Sequence, residues 1–272
     1  MDYRSILVHL DDREEMACID VAAALAARHG AELAGAYLVA TRELTPFTQA
    51  MLPDSVVEHR LRDTGHAQAR AEARFREAAA RHALADAVWT APAGAAIDAA
   101  IVHARHADLV VLAQPRAGFE SDLVHAVVMQ SGRPALVVPP GGAATLGERV
   151  LVAWKESRES ARAVADALPL LARAKAVRIV SIAAEDDADA RETAADKDVV
   201  AWLARHGVDA TLRHEAAEDV DAGNLLLSRA ADFGADLVVM GAYSRPRLSE
   251  VVLGGVTRLM LQSMTVPVLM SH

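Results

Sequence analysis

The stretch with most chemistry to offer runs Gly241-Ala-Tyr-Ser244-Arg-Pro-Arg-Leu-Ser-Glu-Val-Val-Leu-Gly254-Gly255-Val256-Thr257-Arg258. A glycine at a strand end lets a ligand approach the main chain, and Gly254-Gly255 at a helix start presents free N–H groups at the positive end of the dipole. Such a turn can hold an anion. Arg245, Arg247 and Arg258 stand around it, Ser244 and Thr257 add hydroxyls, and Lys155 at the end of another apolar run adds a cation. The competing reading is purely structural, since a βα turn also uses glycine to bring helix and sheet together. Other chemistries find less support. His103 and His106 are three apart and His59 and His66 seven apart, yet no HExxH, cysteine pair or third ligand accompanies them. No Gly-x-Ser-x-Gly elbow or Gly-Lys-Ser/Thr phosphate loop occurs, and Glu185-Asp-Asp-Ala-Asp lacks the glycine and glutamate spacing of a calcium loop. No catalytic residue and no metal site is expected, although slow hydrolysis of a bound phosphate compound is compatible with these residues.

The elements that must position this turn come in two matching sets. Arg4-Ser-Ile-Leu-Val-His-Leu pairs with Arg149-Val-Leu-Val-Ala-Trp, Ala107-Asp-Leu-Val-Val-Leu-Ala with Ala235-Asp-Leu-Val-Val-Met-Gly, and Arg133-Pro-Ala-Leu-Val-Val-Pro with Val266-Pro-Val-Leu-Met-Ser. The chain is a tandem duplication, with Pro139-Pro-Gly-Gly-Ala-Ala-Thr as linker and domains at 1–142 and 147–272. Apolar runs predict strands at Ser5–Leu10, Leu33–Val39, Ala87–Ala91, Leu109–Ala113 and Ala135–Val138, then Val150–Trp154, Ala176–Ile182, Asp209–Arg213, Leu237–Gly241 and Val266–Met270. Helical period predicts helices near Glu14–His29, Val56–His82, Ala95–His106 and Glu120–Gln130, then Arg158–Leu171, Asp189–His206, Gly223–Phe233 and Gly255–Ser263. Such alternation gives α/β architecture: two tandem, doubly wound, five-stranded parallel-sheet domains with crevices at the carboxyl ends of the strands. The last strand of each half is apolar, and an apolar strand left at a sheet edge needs cover. The charged Val56–His82 helix either covers the sheet or offers a partner surface.

Composition narrows the class further. The 272 residues are 53% hydrophobic and 24% charged with net charge −9, enough apolar material for a buried core and too acidic for nucleic acid to be the main partner. Apolar runs such as Leu109–Ala113 are far short of the roughly 20 residues a bilayer-spanning helix needs. Met1-Asp-Tyr-Arg-Ser-Ile carries no basic, hydrophobic leader, so a cytoplasmic location is expected. The single cysteine, Cys18, reads as a buried packing residue.

Together with the duplication, the 241–258 turn resembles that of the nucleotide-binding members of the universal stress protein family: Gly, two residues, Gly, nine residues, then Gly-Ser or Gly-Thr. Gly241 and Gly254 fall on this pattern with the spacing intact, while Ser244 replaces the second glycine and Gly255 the hydroxyl residue. In that family the first strand commonly ends in an aspartate facing the nucleoside; Asp11 stands there in the first half and Lys155 in the second. A lysine can pair with phosphate but cannot accept from a ribose hydroxyl. The first half follows its fourth strand with Ala113-Gln-Pro-Arg-Ala-Gly-Phe and has no glycine pair. The resemblance implies Rossmann-like domains of the adenine nucleotide alpha hydrolase type. It also implies a stress-response sensor or adaptor that binds ATP, ADP or AMP in its second domain, any magnesium arriving with the nucleotide. Gly241, Ser244, Gly254, Gly255, Val256, Thr257 and Lys155 would form that site. The alternative is a nucleotide-free tandem protein acting only as an interaction module toward a protein partner. Pairing of the last strands, within one chain as a pseudo-dimer or between chains as a homodimer, is implied as well.

Overall fold

The apolar runs assemble into one sheet of ten strands, in the order β3-β2-β1-β4-β5-β10-β9-β6-β7-β8. This is a computed structural model, and it describes residues 2–11, 17–38, 53–92, 95–116, 119–183, 194–216, 219–243 and 255–272. The first half comprises β1 (Ser5–Leu10), α1 (Ala17–His29), β2 (Glu32–Tyr37), α2 (Asp54–Arg81), β3 (Val88–Thr90), α3 (Ala96–Ala104), β4 (Leu109–Ala113), α4 (Phe119–Gln130) and β5 (Ala135–Val138). The second comprises β6 (Arg149–Trp154), α5 (Arg158–Leu171), β7 (Ala176–Ala183), α6 (Ala194–Arg205), β8 (Ala210–Ala216), α7 (Asp219–Phe233), β9 (Leu237–Gly241), α8 (Gly255–Ser263) and β10 (Val268–Ser271). The predicted starts of the first and sixth helices, at 14–16 and 189–193, lie outside the described residues.

The central strands are apolar on both sides because each side faces a layer of helices. Ile6, Val8 and Leu10 of β1, with Val150 and Val152 of β6, pack on one face under α1, α2, α5 and α6. Leu7 and Leu151, offset by one residue, pack on the other under α3, α4, α7 and α8. Cys18 of α1 is buried in the first of these cores. Phe75 of α2 reaches the sheet over Gly35, where a side chain on β2 would collide with its ring at 2.7 Å. The described residues of the first turns of α2, Val56 among them, stand exposed.

All pairings are parallel except one. β5 and β10 run antiparallel, with Leu136 opposite Leu269, so the two apolar last strands cover each other and the edge liability disappears inside the chain. The repeated letters acquire a cause here. Asp108 accepts from the N–H groups of Arg4 and Ser5 at 2.8 and 3.2 Å, and Asp236 accepts from those of Glu148 and Arg149 at 3.0 Å each. In both halves an aspartate before the fourth strand ties down the start of the first. A polar belt also joins the halves: Tyr3 donates to the Asp166 carbonyl, Ser271 to the Asp166 carboxylate, and Arg173 to Asp2.

Candidate functional site at the carboxyl ends of β6 and β9

Strand order reverses between β6 and β9, and the helices that follow them leave to opposite faces, the switch point at which a doubly wound sheet has its crevice. β6 and β9 are in register at Ala153 and Met240, so Lys155 and Gly241 emerge at neighbouring points on this edge. α5 begins on one side of the crevice and α8 on the other. Ser244 and Gly254 lie outside the described residues, as do Arg245 and Arg247.

The start of α5 is closed by its own side chains. Ser157 is the N-cap and accepts from the Ser160 N–H at 3.2 Å, a cap of the kind that contributes about 1 kcal/mol. Glu159 follows in the first turn with its side chain only 7% exposed, its carboxylate accepting from Arg158 at 2.6 Å. Burial works against that charge, but hydrogen bonds from Arg158, the Glu159 N–H and Ser157 outweigh it and hold the carboxyl below its ordinary range. An anion would therefore meet a carboxylate here. Lys155 is exposed, and its backbone N–H donates to the Ser160 hydroxyl at 3.3 Å.

Gly241 has a different role from the one its sequence position suggests. A Cβ on Gly241 would lie 2.6 Å from the Ser160 nitrogen and 2.7 Å from the Glu159 carbonyl carbon, so the first turn of α5 occupies that side of the strand end. The room this glycine leaves is taken up on that side by a helix. Thr257 also has a packing role. It is 4% exposed, and its hydroxyl accepts a long hydrogen bond, 3.4 Å, from the Tyr243 N–H. That hydroxyl ties the first turn of α8 to the end of β9. Val256 packs against the core on that side, and Arg258 is exposed.

Gly255 is the predicted residue left facing open space. It begins α8, it is exposed, and a Cβ there would meet nothing within 4 Å among the described residues. The opening N–H groups of a helix have no partner within the helix, so a helix start with clear space beside it suits an anion. Of the paired histidines, His59 lies 3.2 Å from Asp63 on the exposed face of α2 and His106 lies against the Val102 carbonyl; His272 does stand at this edge, its ring 2.9 Å from the Ala242 carbonyl and 3.0 Å from the Arg158 guanidinium. Among the described residues no group of three metal-ligating side chains forms.

Residues 147–272 match the model of the universal stress protein family. That half of the chain belongs to the universal stress protein family. The complete chain has the fold of the crystal structure of a universal stress protein from Archaeoglobus fulgidus DSM 4304, with TM-score 0.76 and 14% identity over 98% of this chain and 97% of that one. A functionally unknown protein from Pseudomonas aeruginosa PAO1 is similar over 99% of this chain and 92% of its own, with TM-score 0.59 and 15% identity. A universal stress protein in complex with cAMP aligns over 52% of this chain and 99% of its own at 21% identity and TM-score 0.34. No curated protein matches the sequence. No helix among the described residues is long and apolar enough to cross a membrane.

Several residues that shape this universal stress protein crevice carried no warning in the sequence. Glu159 reads as ordinary first-turn acid, yet Gly241 lets it settle against the sheet. Ser157 was findable as a serine preceding a helical run. Tyr243 was not, because its left-handed φ of 61° belongs mostly to glycine and asparagine.

Proposed function

We propose that this chain is a cytoplasmic stress-response protein that binds an adenine nucleotide, ATP, ADP or AMP, in its second half and signals occupancy to a protein partner. The start of α8 would hold phosphates through backbone N–H groups from Gly255, Val256 and Thr257, with Gly254 and Ser244 as the motif residues before it. Lys155 would contribute a cation from the end of β6. The space beside Gly255, clear of the described residues, together with an α5 start that is already capped, is the observation that carries this reading. Magnesium would come only with the nucleotide, and the reading assigns no catalytic residue.

A second reading, a nucleotide-free interaction module, draws on Gly241 and Thr257. Both are explained by packing alone, Gly241 by the approach of α5 and Thr257 by its bond to Tyr243. Thermal unfolding with millimolar Mg-ATP, ADP and AMP separates the two, since a ligand bound only by the native state stabilises it by RT ln(1 + [L]/Kd), about 2.7 kcal/mol at a hundredfold excess over Kd. A midpoint rise with one nucleotide supports the first reading when Gly255→Asp abolishes it. That variant places a carboxylate in open space at a helix start, where it repels phosphate but stabilises the helix. No rise with any nucleotide leaves the second reading.

A further inference from the structure

The root of the candidate turn is gripped from outside its own half. Tyr243, the last described residue before the turn, is buried with φ 61°, a left-handed conformation that a bulky residue adopts only at a cost. Strain of that kind persists only where neighbours determine it. One neighbour is Thr257, whose hydroxyl accepts the Tyr243 N–H. Another lies across the chain: the ring of His125, on α4 of the first half, meets the Tyr243 ring edge-on with centroids 4.8 Å apart and planes at 87°. The far end of α8 is held by the same half. Gln114, just past β4, donates its side-chain amide to the Leu261 carbonyl at 2.8 Å, and Leu261 is in the last turn of α8, where carbonyls lack partners within the helix.

Pseudo-symmetry shows that these contacts are not mere repetition. The backbone N–H of Gln114 bonds the last residue of β5 and that of Ala242 bonds the last residue of β10, so Gln114 and Ala242 are equivalent positions. Ala242 has no side chain that could reach back to α4 as Gln114 reaches α8. Support of this kind runs from the first half to the second.

We infer that the first half positions the second half's anion-holding helix start, with His125 holding Tyr243 in its left-handed conformation and Gln114 holding the end of α8, so that the site requires both halves although its motif lies in one. The inference deepens the nucleotide reading and rests on it for its functional meaning; the positioning itself is tested separately.

The test measures amide hydrogen exchange across Met240–Tyr243 and Gly255–Ser263 in the full chain. His125→Ala should speed exchange in both peptides roughly two- to tenfold, the range of an aromatic pair, with the β1 and β6 amides unchanged. His125→Phe, which keeps a ring there, should restore protection, and Gln114→Leu should speed exchange at the end of α8 alone. Unchanged exchange in His125→Ala, or an equal rise throughout the chain, overturns the inference. Titration with Mg-ATP, ADP and AMP then adds function: where the wild type binds, His125→Ala should weaken affinity by the same two- to tenfold and His125→Phe should recover it, and undiminished affinity overturns the coupling. If the wild type binds none of the three, the nucleotide reading fails, and the exchange result alone decides positioning.

Discussion

The two halves share a strand order and the aspartate ties beneath their first strands, and they part company at the carboxyl edge of the sheet. In the first half β1 is followed by Asp11, which is buried, and β4 ends in Ala113 followed by Gln114. In the second, β6 ends beside Lys155, which is exposed, and β9 ends in Gly241 followed by Ala242 and Tyr243. The framework at the amino ends fixes the chain's path and repeats with its hydrogen bonds intact. The carboxyl edge has diverged because its side chains face a crevice or the other half, where each position answers to a different neighbour. Gly241 accommodates the first turn of α5; Gln114 serves α8 on the far side of the β5–β10 seam.

Exchanging residues at the diverged edge should show the largest asymmetry. Gly241→Ala forces a Cβ against the Ser160 nitrogen, and the cost should be about 1–3 kcal/mol of unfolding free energy in urea. The reciprocal Ala113→Gly should cost about 1 kcal/mol or less, the ordinary penalty of a strand glycine. Equal costs would break the distinction drawn between the two strand ends.

Removing the shared ties should show the opposite pattern. Asp108→Ala and Asp236→Ala each strip acceptors from two backbone N–H groups, and each should cost about 1–2 kcal/mol, with the two values close to one another. A cost confined to one variant would mean that the repeated aspartate is structural in one half only.

The smallest effect expected is one of pH, and it belongs to the first half. His29 on α1 has a fully buried side chain beside Tyr3, with Nδ1 3.2 Å from Asp2, and its Nε2 is buried without a partner. Burial lowers its pKa, the Asp2 hydrogen bond opposes that, and the nearby charges of Arg173 and Arg28 lower it further, for a net fall below 6.5. A base with a lowered folded-state pKa binds fewer protons folded than unfolded, so stability falls as pH drops through about 6.5 toward the folded value. In His29→Gln, denaturant midpoints compared between pH 7.5 and 5.5 should show a smaller acid loss than in the wild type. An identical loss in both would assign the pH dependence to other groups.

Sequence alone determined the strands and the duplication. Five-residue apolar runs such as Leu109–Ala113 and Leu237–Gly241 have the predicted bounds, because a strand buried on both faces leaves a continuous signal that no neighbour is needed to interpret. Helix starts at Arg158 and Gly255 were equally legible from local cues, and the spacing from Gly241 to Gly254 marked the edge proposed as the site. Tertiary structure alone decided what those residues do there. It joined β5 to β10, filled the space above Gly241 with α5, turned the Thr257 hydroxyl inward, and brought His125 and Gln114 of one half against Tyr243 and Leu261 of the other. Strand and helix period are set by neighbours along the chain, whereas the occupancy of a glycine's open side, or the partner of a hydroxyl, is set by contacts more than a hundred residues apart or by helix packing across a crevice.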